Sequence, residues 1–305
     1  MAEASGGQEN QEISPIKAPV QTENSAENVS QKSLMRDLID YASGKIDFKK
    51  SSHVIESVDR SEIEALVRKI GEAYDVPQRA IENGLKAEIF VVKDDSFTKL
   101  QESRIRAKMK DEISKTKTIE ELNKIEQFIR EEAQLTEGNR WPAKSGKEII
   151  LIREKSGIDR ESLETHEILH VMAQDEASES AGFEKEGGIW TNINEATTEI
   201  LALHLLYPNL NSAELYLKID DNKIANVGYE SLVKKMLIVM GRPMVDGNGV
   251  PFSFKELAQY YFHNVQAKDN DVVGSMTKDI ASRLMPEAQE RTISCLANDL
   301  QTGLF

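Results

Sequence analysis

The sequence HEILH, residues 166–170, places two histidines four positions apart and a glutamate directly after the first. On a helix, positions four apart lie about 40° apart around the axis, so His166 and His170 can direct their rings to one ion. Glu167 lies beside them, where its carboxylate can accept a proton from a water molecule held by that ion. The stretch therefore predicts a helix that carries part of a metal site.

A second stretch, NEATTE at residues 194–199, supplies the carboxylates that such a site requires. Zinc in a hydrolase is bound by three protein ligands and keeps one open position. Glu195 can be the third ligand, and Glu199 lies one turn later on the same helix face. Ligating histidines commonly donate their other N–H to a carboxylate, so we expect Glu199 to face His166. The two stretches together predict one zinc ion per chain, bound by His166, His170 and Glu195.

The pair HEILH and NEATTE resembles the gluzincin metallopeptidases, the thermolysin-like group in which HExxH is followed by NExx[ST][DE]. The resemblance implies that zinc is bound by His166, His170 and Glu195. It also implies that Glu167 is the general base and that Glu199 orients a ligand histidine.

The resemblance is specific only over the two motif helices. Asn194 and Thr198 also match the motif, and we place Asn194 with Glu199 in the layer of residues around the ligands. The spacing between His170 and Glu195 is short, which indicates a compact gluzincin rather than thermolysin itself.

Other zinc-enzyme classes fit the sequence less well. A metzincin would need glycine at 173 and histidine at 176, where this chain has Ala173 and Glu176. A peptide deformylase would need a cysteine ligand before the helix, but Cys295 is the only cysteine and follows it. The single cysteine also excludes a disulfide framework, and we expect it to be a small residue in a helical core.

The residue that stabilises the oxyanion is the least determined part of the predicted site. Gluzincins commonly use a downstream Tyr, His or Arg for this purpose. Tyr229, at the expected start of the first helix after the ligand helix, is our candidate, with His263 and His204 as alternatives. On an ideal helix His204 lies half a turn away from Glu195, so we expect it to be a core or surface histidine. A packing role for Tyr229 is the competing interpretation.

Composition and charge exclude some classes of protein. The formal net charge of the 305 residues is -14, and no basic block offsets it, which argues against nucleic-acid binding. No apolar run approaches the ~18 residues of a membrane span, and residues 1–11 lack the apolar core of a secretory signal. We therefore expect a soluble protein, cytoplasmic by default, with export by a route without a cleavable signal as the alternative.

Hydrophobic periodicity predicts an α+β protein that is mostly helical. Two apolar runs, AEIFVV at residues 87–92 and EIILIR at 148–153, are typical of buried strands. GNRWP at 138–142 indicates a loop before the second run. The resemblance implies a zincin-like, two-lobed metallopeptidase with a small β-sheet in the N-terminal lobe and a helical C-terminal lobe. It also implies that the strand at 148–153 forms the cleft edge, beside which an extended peptide can add.

Four segments are predicted along the chain. Residues 1–32 are polar and form a disordered tail, because they cannot bury enough apolar surface to offset their ordering entropy. Residues 33–54 form a linker in which a short helix can form. Residues 55–210 form the N-terminal lobe with a charged helical insertion at 96–133, and residues 211–305 form the helical C-terminal lobe. Helices are expected near residues 61–74, 96–133 (a pair broken near 115–118), 192–207, 229–240, 254–263, 272–284 and 286–300.

The leading functional hypothesis is a zinc metallopeptidase that hydrolyses peptide bonds in a peptide or protein substrate. One alternative is a zincin-like module that binds metal but serves in binding or regulation, for example through residues 96–133. The intact Glu167 argues against it, since loss of activity would most simply remove that base. A second alternative is an effector protease of narrow specificity, with the polar tail as a delivery segment.

Overall fold

The computed structural model describes residues 25–116, 118–142, 147–174, 182–183, 191–224, 227–241, 251–263 and 272–284. For residues 25–33, Pro142, His263 and Leu284 it describes the backbone only. This part of the chain is α+β and mostly helical, as the sequence predicts. In chain order its elements are α1 (Ser25–Ala42), β1 (Val54–Ser57), α2 (Arg60–Tyr74), α3 (Gln78–Gly84), β2 (Ala87–Val92), α4 (Asp94–Lys108), α5 (Lys110–Lys115), α6 (Ile119–Leu135), β3 (Gly138–Pro142), β4 (Glu148–Arg153), α7 (Arg160–Met172), α8 (Thr191–Leu206), α9 (Ser212–Asp220), α10 (Glu230–Gly241), α11 (Phe254–His263) and α12 (Val272–Leu284).

The two apolar runs form the centre of a four-stranded sheet with the order β1-β2-β4-β3. β2 and β4 are parallel to each other, and β1 and β3 are antiparallel to them at the edges. Strands that are covered on both faces read as continuous runs of Ile, Val and Leu, so the sequence predicts both central strands with their observed bounds. The sequence patterns of the edge strands are weaker. The prediction of a loop at residues 138–142 is wrong, since these residues form β3.

The position of β4 in the sheet corrects a second expectation. Since β4 is paired on one side with β2 and on the other with β3, it cannot form the edge beside which a peptide adds. The strand at that edge is β3, which pairs with β4 from Gly138 opposite Ile152 to Pro142 opposite Glu148.

The N-terminal segment packs against the sheet face that is turned away from α7. Leu34 and Leu38 of α1 are buried, and the buried ring of Phe48 lies 4.9 Å from that of Phe90 on β2. These residues form a second apolar core with Ile149 and other side chains of that sheet face. The segment expected to be a linker, 33–54, therefore belongs to the folded body.

Helix α1 also begins earlier than expected. It starts at Ser25, inside the segment 1–32 that the sequence analysis assigns to a disordered tail. Residues 1–24 lie outside the described residues. Residues 25–32 are mostly polar, so the sequence did not indicate a helix here. The buried apolar residues of α1, Leu34 and Leu38, lie in its later turns.

The helical insertion forms a hairpin that is fastened to the end of β4. α5 ends at Lys115 and α6 begins at Ile119, so the predicted break near 115–118 is confirmed. Arg153, at the end of β4, donates hydrogen bonds of 2.7 Å to the backbone carbonyls of Ala133 and Gln134 in the last turn of α6. A cation at these carbonyls stabilises a helix C-terminus, so Arg153 holds the end of α6 against the sheet.

Helices α8 to α12 contribute side chains to the same hydrophobic core as α7. α11 and α12 have the predicted bounds, and α10 is displaced by one residue from the prediction. The helix predicted at residues 286–300, which includes Cys295, lies outside the described residues. No helix within the described ranges has the length and apolar character needed to cross a membrane.

Replacement of Phe48 by alanine tests whether the N-terminal segment is part of the folded body. We expect Phe48→Ala to lower the free energy of unfolding by about 3–5 kcal/mol, the usual loss for a buried phenylalanine. Phe128, which is 46% exposed on α6, provides a matched control whose substitution should cost below about 1 kcal/mol. Urea unfolding of the full chain measures both values. Equal midpoints for Phe48→Ala and wild type would show that the segment does not pack as described.

Candidate metal centre

Two helices of one core bring the predicted ligands together. α7 begins after Asp159, whose side chain accepts a hydrogen bond of 3.1 Å from the backbone N–H of Ser162. His166 and His170 lie on the face of α7 that meets α8, and Glu195 comes from the first turns of α8. The structure therefore places all three predicted ligands in one cluster.

The ligand atoms form a nearly equilateral triangle. The Nε2 atoms of His166 and His170 lie 3.1 Å apart, and Oε2 of Glu195 lies 3.2 Å from the first and 3.3 Å from the second. Ligands at about 2.0–2.1 Å from a tetrahedral zinc ion are separated from each other by about 3.3 Å. The donor set of two imidazoles and one carboxylate thus has the size and the chemistry of a zinc site.

When His166 is neutral and its proton is on Nδ1, its lone pair is on Nε2, which belongs to this triangle. Its Nδ1 lies 3.0 Å from Oε2 of Glu199, and a carboxylate can only accept, so Nδ1 carries the proton. Burial lowers the pKa of His166, but the hydrogen bonds of Glu195 and Glu199 outweigh burial and raise this pKa to about 10. Burial likewise raises the pKa of Glu195, while His170 and His166 outweigh it and hold that pKa well below its ordinary value. Without a metal ion a proton therefore lies among these atoms at neutral pH, in the place that a bound cation would take.

A relay of hydroxyl groups can accept the outer proton of His170. The single hydroxyl proton of Thr198 goes to the backbone carbonyl of Asn194, at 2.8 Å. Tyr261 must therefore donate to Thr198 Oγ1, 2.8 Å away, and its Oη can accept from His170 Nδ1 at 3.3 Å. Asn194 Nδ2, which can only donate, lies 3.4 Å from the same nitrogen and competes with this arrangement. When Nδ1 carries the proton, the Nε2 lone pair of His170 is directed at the cluster.

Asn194 and Tyr261 are held in place by a short segment that passes over them. Asn194 Oδ1 accepts a hydrogen bond of 2.8 Å from the backbone N–H of Phe183. Gly182 has φ of +56°, and a Cβ at this position would collide with Tyr261 and Asn194. Only glycine fits both the conformation and the space.

The predicted base, Glu167, lies between the cluster and the edge strand. Its side chain is buried, and a Cβ on Gly138 of β3 would collide with its carboxylate. Burial raises the pKa of Glu167, and His166 and His170 act in the opposite direction. The missing side chain of Gly138 lets β3 run directly past the carboxylate.

Tyr229 lies in the same cleft as the metal cluster. The cleft has a volume of about 460 Å³ and also contains His166, Glu167 and Glu195. Tyr229 has φ of +52° and is 49% exposed. Partial burial raises the pKa of its hydroxyl to about 12, with nearby carboxylates acting in the same direction, so the hydroxyl keeps its proton at neutral pH.

The two alternative candidates lie differently. His204 Nδ1 is 3.0 Å from Tyr74 Oη, and its ring stacks on Phe254 with centroids 4.1 Å apart. It is a packed histidine, as expected, and burial lowers its pKa. His263 is the last residue of α11, and its side chain lies outside the described part of the chain.

Comparison with protein-family models, with curated protein sequences and with solved structures finds no match for this chain. The interpretation of the cluster therefore rests on its own geometry and on the sequence motifs.

Tyr261 was not among the predicted residues, and its effect on the metal site can be measured. We expect Tyr261→Phe to raise the zinc dissociation constant by about tenfold or more, because residues that orient ligand histidines typically contribute 10–100-fold. Tyr260→Phe is the matched control, since its hydroxyl bonds Asp279 at 3.3 Å on the other side of α11. Competition with a chromogenic chelator gives both constants. Identical constants for Tyr261→Phe and wild type would contradict the relay.

Proposed function

We propose that this chain is a zinc-dependent peptidase of the gluzincin type that hydrolyses peptide bonds. The observation that carries the proposal is the triangle of His166, His170 and Glu195 donor atoms, 3.1–3.3 Å apart. It lies in an open cleft with Glu167 at its side. Glu199 bonds the outer nitrogen of His166, which is the role that the gluzincin resemblance implies.

The arrangement of elements is consistent with a zincin-like fold of two lobes. The sheet and helices α1 to α8 make up the proposed N-terminal lobe, and helices α9 to α12 make up the proposed C-terminal lobe. The cleft is lined by α6, β3 and α7 on one side, and by α8 and Tyr229 on the other. A cleft between two such layers is a common place for an active site.

The residues around the cluster have the properties that peptide hydrolysis requires. Zinc in such a site supplies a Lewis acid that makes water a nucleophile at neutral pH. Glu167 accepts the proton of the water that attacks the scissile carbonyl and passes it to the leaving amine. Its burial next to β3 keeps the carboxylate close to the substrate and away from bulk solvent. The hydroxyl of Tyr229 donates to the oxyanion that forms in the attack.

The outer edge of β3 is the proposed binding place of the substrate backbone. Among the described residues no strand pairs with this edge. An extended peptide can add to it through main-chain hydrogen bonds. Because β3 passes Glu167 at Gly138, a peptide on this edge brings its carbonyl groups next to the base.

Zinc binding is tested by metal content and by thermal unfolding. We expect about one zinc ion per wild-type chain, and a higher melting temperature in zinc than in EDTA, because a ligand that binds the folded state stabilises it. Glu195→Ala should lose most of the zinc and the thermal shift. Glu161→Ala is the control, since Glu161 is exposed on α7 and bonds Lys69 at 3.7 Å. Absence of zinc from reconstituted wild type would refute the proposed site.

The role of Glu167 is tested by its amide. Glu167→Gln keeps the size of the side chain but cannot accept the proton, so we expect it to bind zinc and to lose at least about 100-fold in cleavage rate. Glu161→Gln should cleave as wild type does. Digestion of casein and of a peptide library measures the rates. Zinc binding without any cleavage that depends on Glu167 would instead support a binding module or a protease of narrow specificity.

A further inference from the structure

The wall of the cleft that is formed by the end of α6 and the start of β3 carries two carboxylates that zinc binding does not use. Glu132 belongs to the end of α6, and Glu137 directly precedes β3. Both line the cleft together with Glu167, Glu195 and Glu199, and the described lining contains no lysine or arginine. A divalent ion offsets two of these five negative charges, so the cleft stays acidic when the ion is bound.

Glu137 has an unmet requirement for a partner. Its Oε2 atom is shielded from solvent and accepts no hydrogen bond from the described residues. A shielded carboxylate oxygen without a donor is costly, and a cationic group entering the cleft would remove that cost. Arg140 on β3 acts on the pKa of Glu167, where burial is the larger effect, but it is not among the side chains that line the cleft.

The two carboxylates are held by the sheet rather than by a mobile loop. Arg153 donates to the carbonyls of Ala133 and Gln134, directly between Glu132 and Glu137 in the chain. The backbone N–H of Arg153 also donates to the carbonyl of Glu137, at 3.0 Å. The backbone that carries both glutamates is therefore attached to the end of β4.

The same wall offers an apolar surface beside the charges. Leu135, which is 73% exposed, lies between Glu132 and Glu137 in the chain, and Ile158 and Leu163 also line the cleft. Lysine and arginine side chains bury an aliphatic stem against such a surface while their charged ends reach polar groups. A neutral apolar side chain would pack on the apolar surface but would bring no positive charge to the two carboxylates.

We propose that the cleft selects substrates with a lysine or arginine side chain, whose stem packs on Leu135 and whose charge is received by Glu132 and Glu137. This inference rests on the proposed peptidase function and names its substrate class. Glu132 and Glu137 determine specificity in it and take no part in proton transfer.

The test measures peptide binding by the zinc-loaded Glu167→Gln chain, so that it does not depend on turnover. The probes are fluorescent peptides of one sequence with lysine or norleucine at the central position, and a second pair with arginine or citrulline. We expect the cationic peptide of each pair to bind at least tenfold more tightly, with the difference shrinking at high salt because added ions screen the charges. Addition of Glu132→Gln and Glu137→Gln together should reduce the preference to about twofold or less. Glu131→Gln, on the same turn of α6 but outside the cleft lining, should retain it.

Reversing the charge of both glutamates distinguishes a true loss of charge preference from misfolding. A chain with Glu132→Lys and Glu137→Lys should prefer a peptide with central glutamate over one with lysine, which a misfolded protein would not do. Equal binding of the charged and neutral peptides, failure to bind any of them, or a preference that survives both double substitutions would overturn the inference.

The outcome is separable from that of the proposed function. Rapid cleavage that depends on Glu167 and is equal for lysine and norleucine peptides would keep the peptidase and reject the charge preference. A charge preference in binding without any cleavage would keep the inference about the cleft and reject the peptidase.

Discussion

Three electron-rich atoms held in contact are the constraint on which the rest of this structure depends. Nitrogen atoms of His166 and His170 and a carboxylate oxygen of Glu195 repel one another unless a cation or a proton lies among them. The packing of α7 against α8 in one buried core holds them together. A proton on His166 relieves the repulsion when no metal ion is bound, but the distances and the donor set also fit a metal ion, so the geometry adds to what the motif alone indicates.

The residues that contact the ligand histidines link this cluster to the C-terminal helices. His166 is oriented within the motif pair by Glu199, but His170 is oriented through Tyr261 of α11 and Thr198 of α8. Because the relay ends at a backbone carbonyl, Tyr261 donates to Thr198 and can accept from His170. The helical part of the chain therefore contributes to the surroundings of the His166, His170 and Glu195 cluster as well as to the core.

Features that depend only on neighbouring residues were predicted correctly from the sequence. The central strands and the two motif helices follow from runs and spacings within a few residues. The cluster of His166, His170 and Glu195 was predicted by pairing the two motifs, since a zinc site needs a third ligand from a separate element. Gly138 and Tyr261 could not be found in this way, since Gly138 lies on a strand that packs onto α7 and Tyr261 on a helix that packs onto α8, both distant in sequence from HEILH. Phe48 was missed for the same reason, because its partner, β2, lies about forty residues further along the chain.

A peptide bound along the edge of a sheet is recognised by its backbone, which is the same for every sequence. Selection among substrates must then come from side chains on the cleft walls. In this molecule the wall is built by the end of α6, which the sequence presents only as part of a charged helical insertion. Arg153 fastens that end to β4, the strand that also carries β3. The charged wall and the edge strand are thus both joined to β4, so the proposed charge-selecting side chains and the proposed peptide-binding edge share one support.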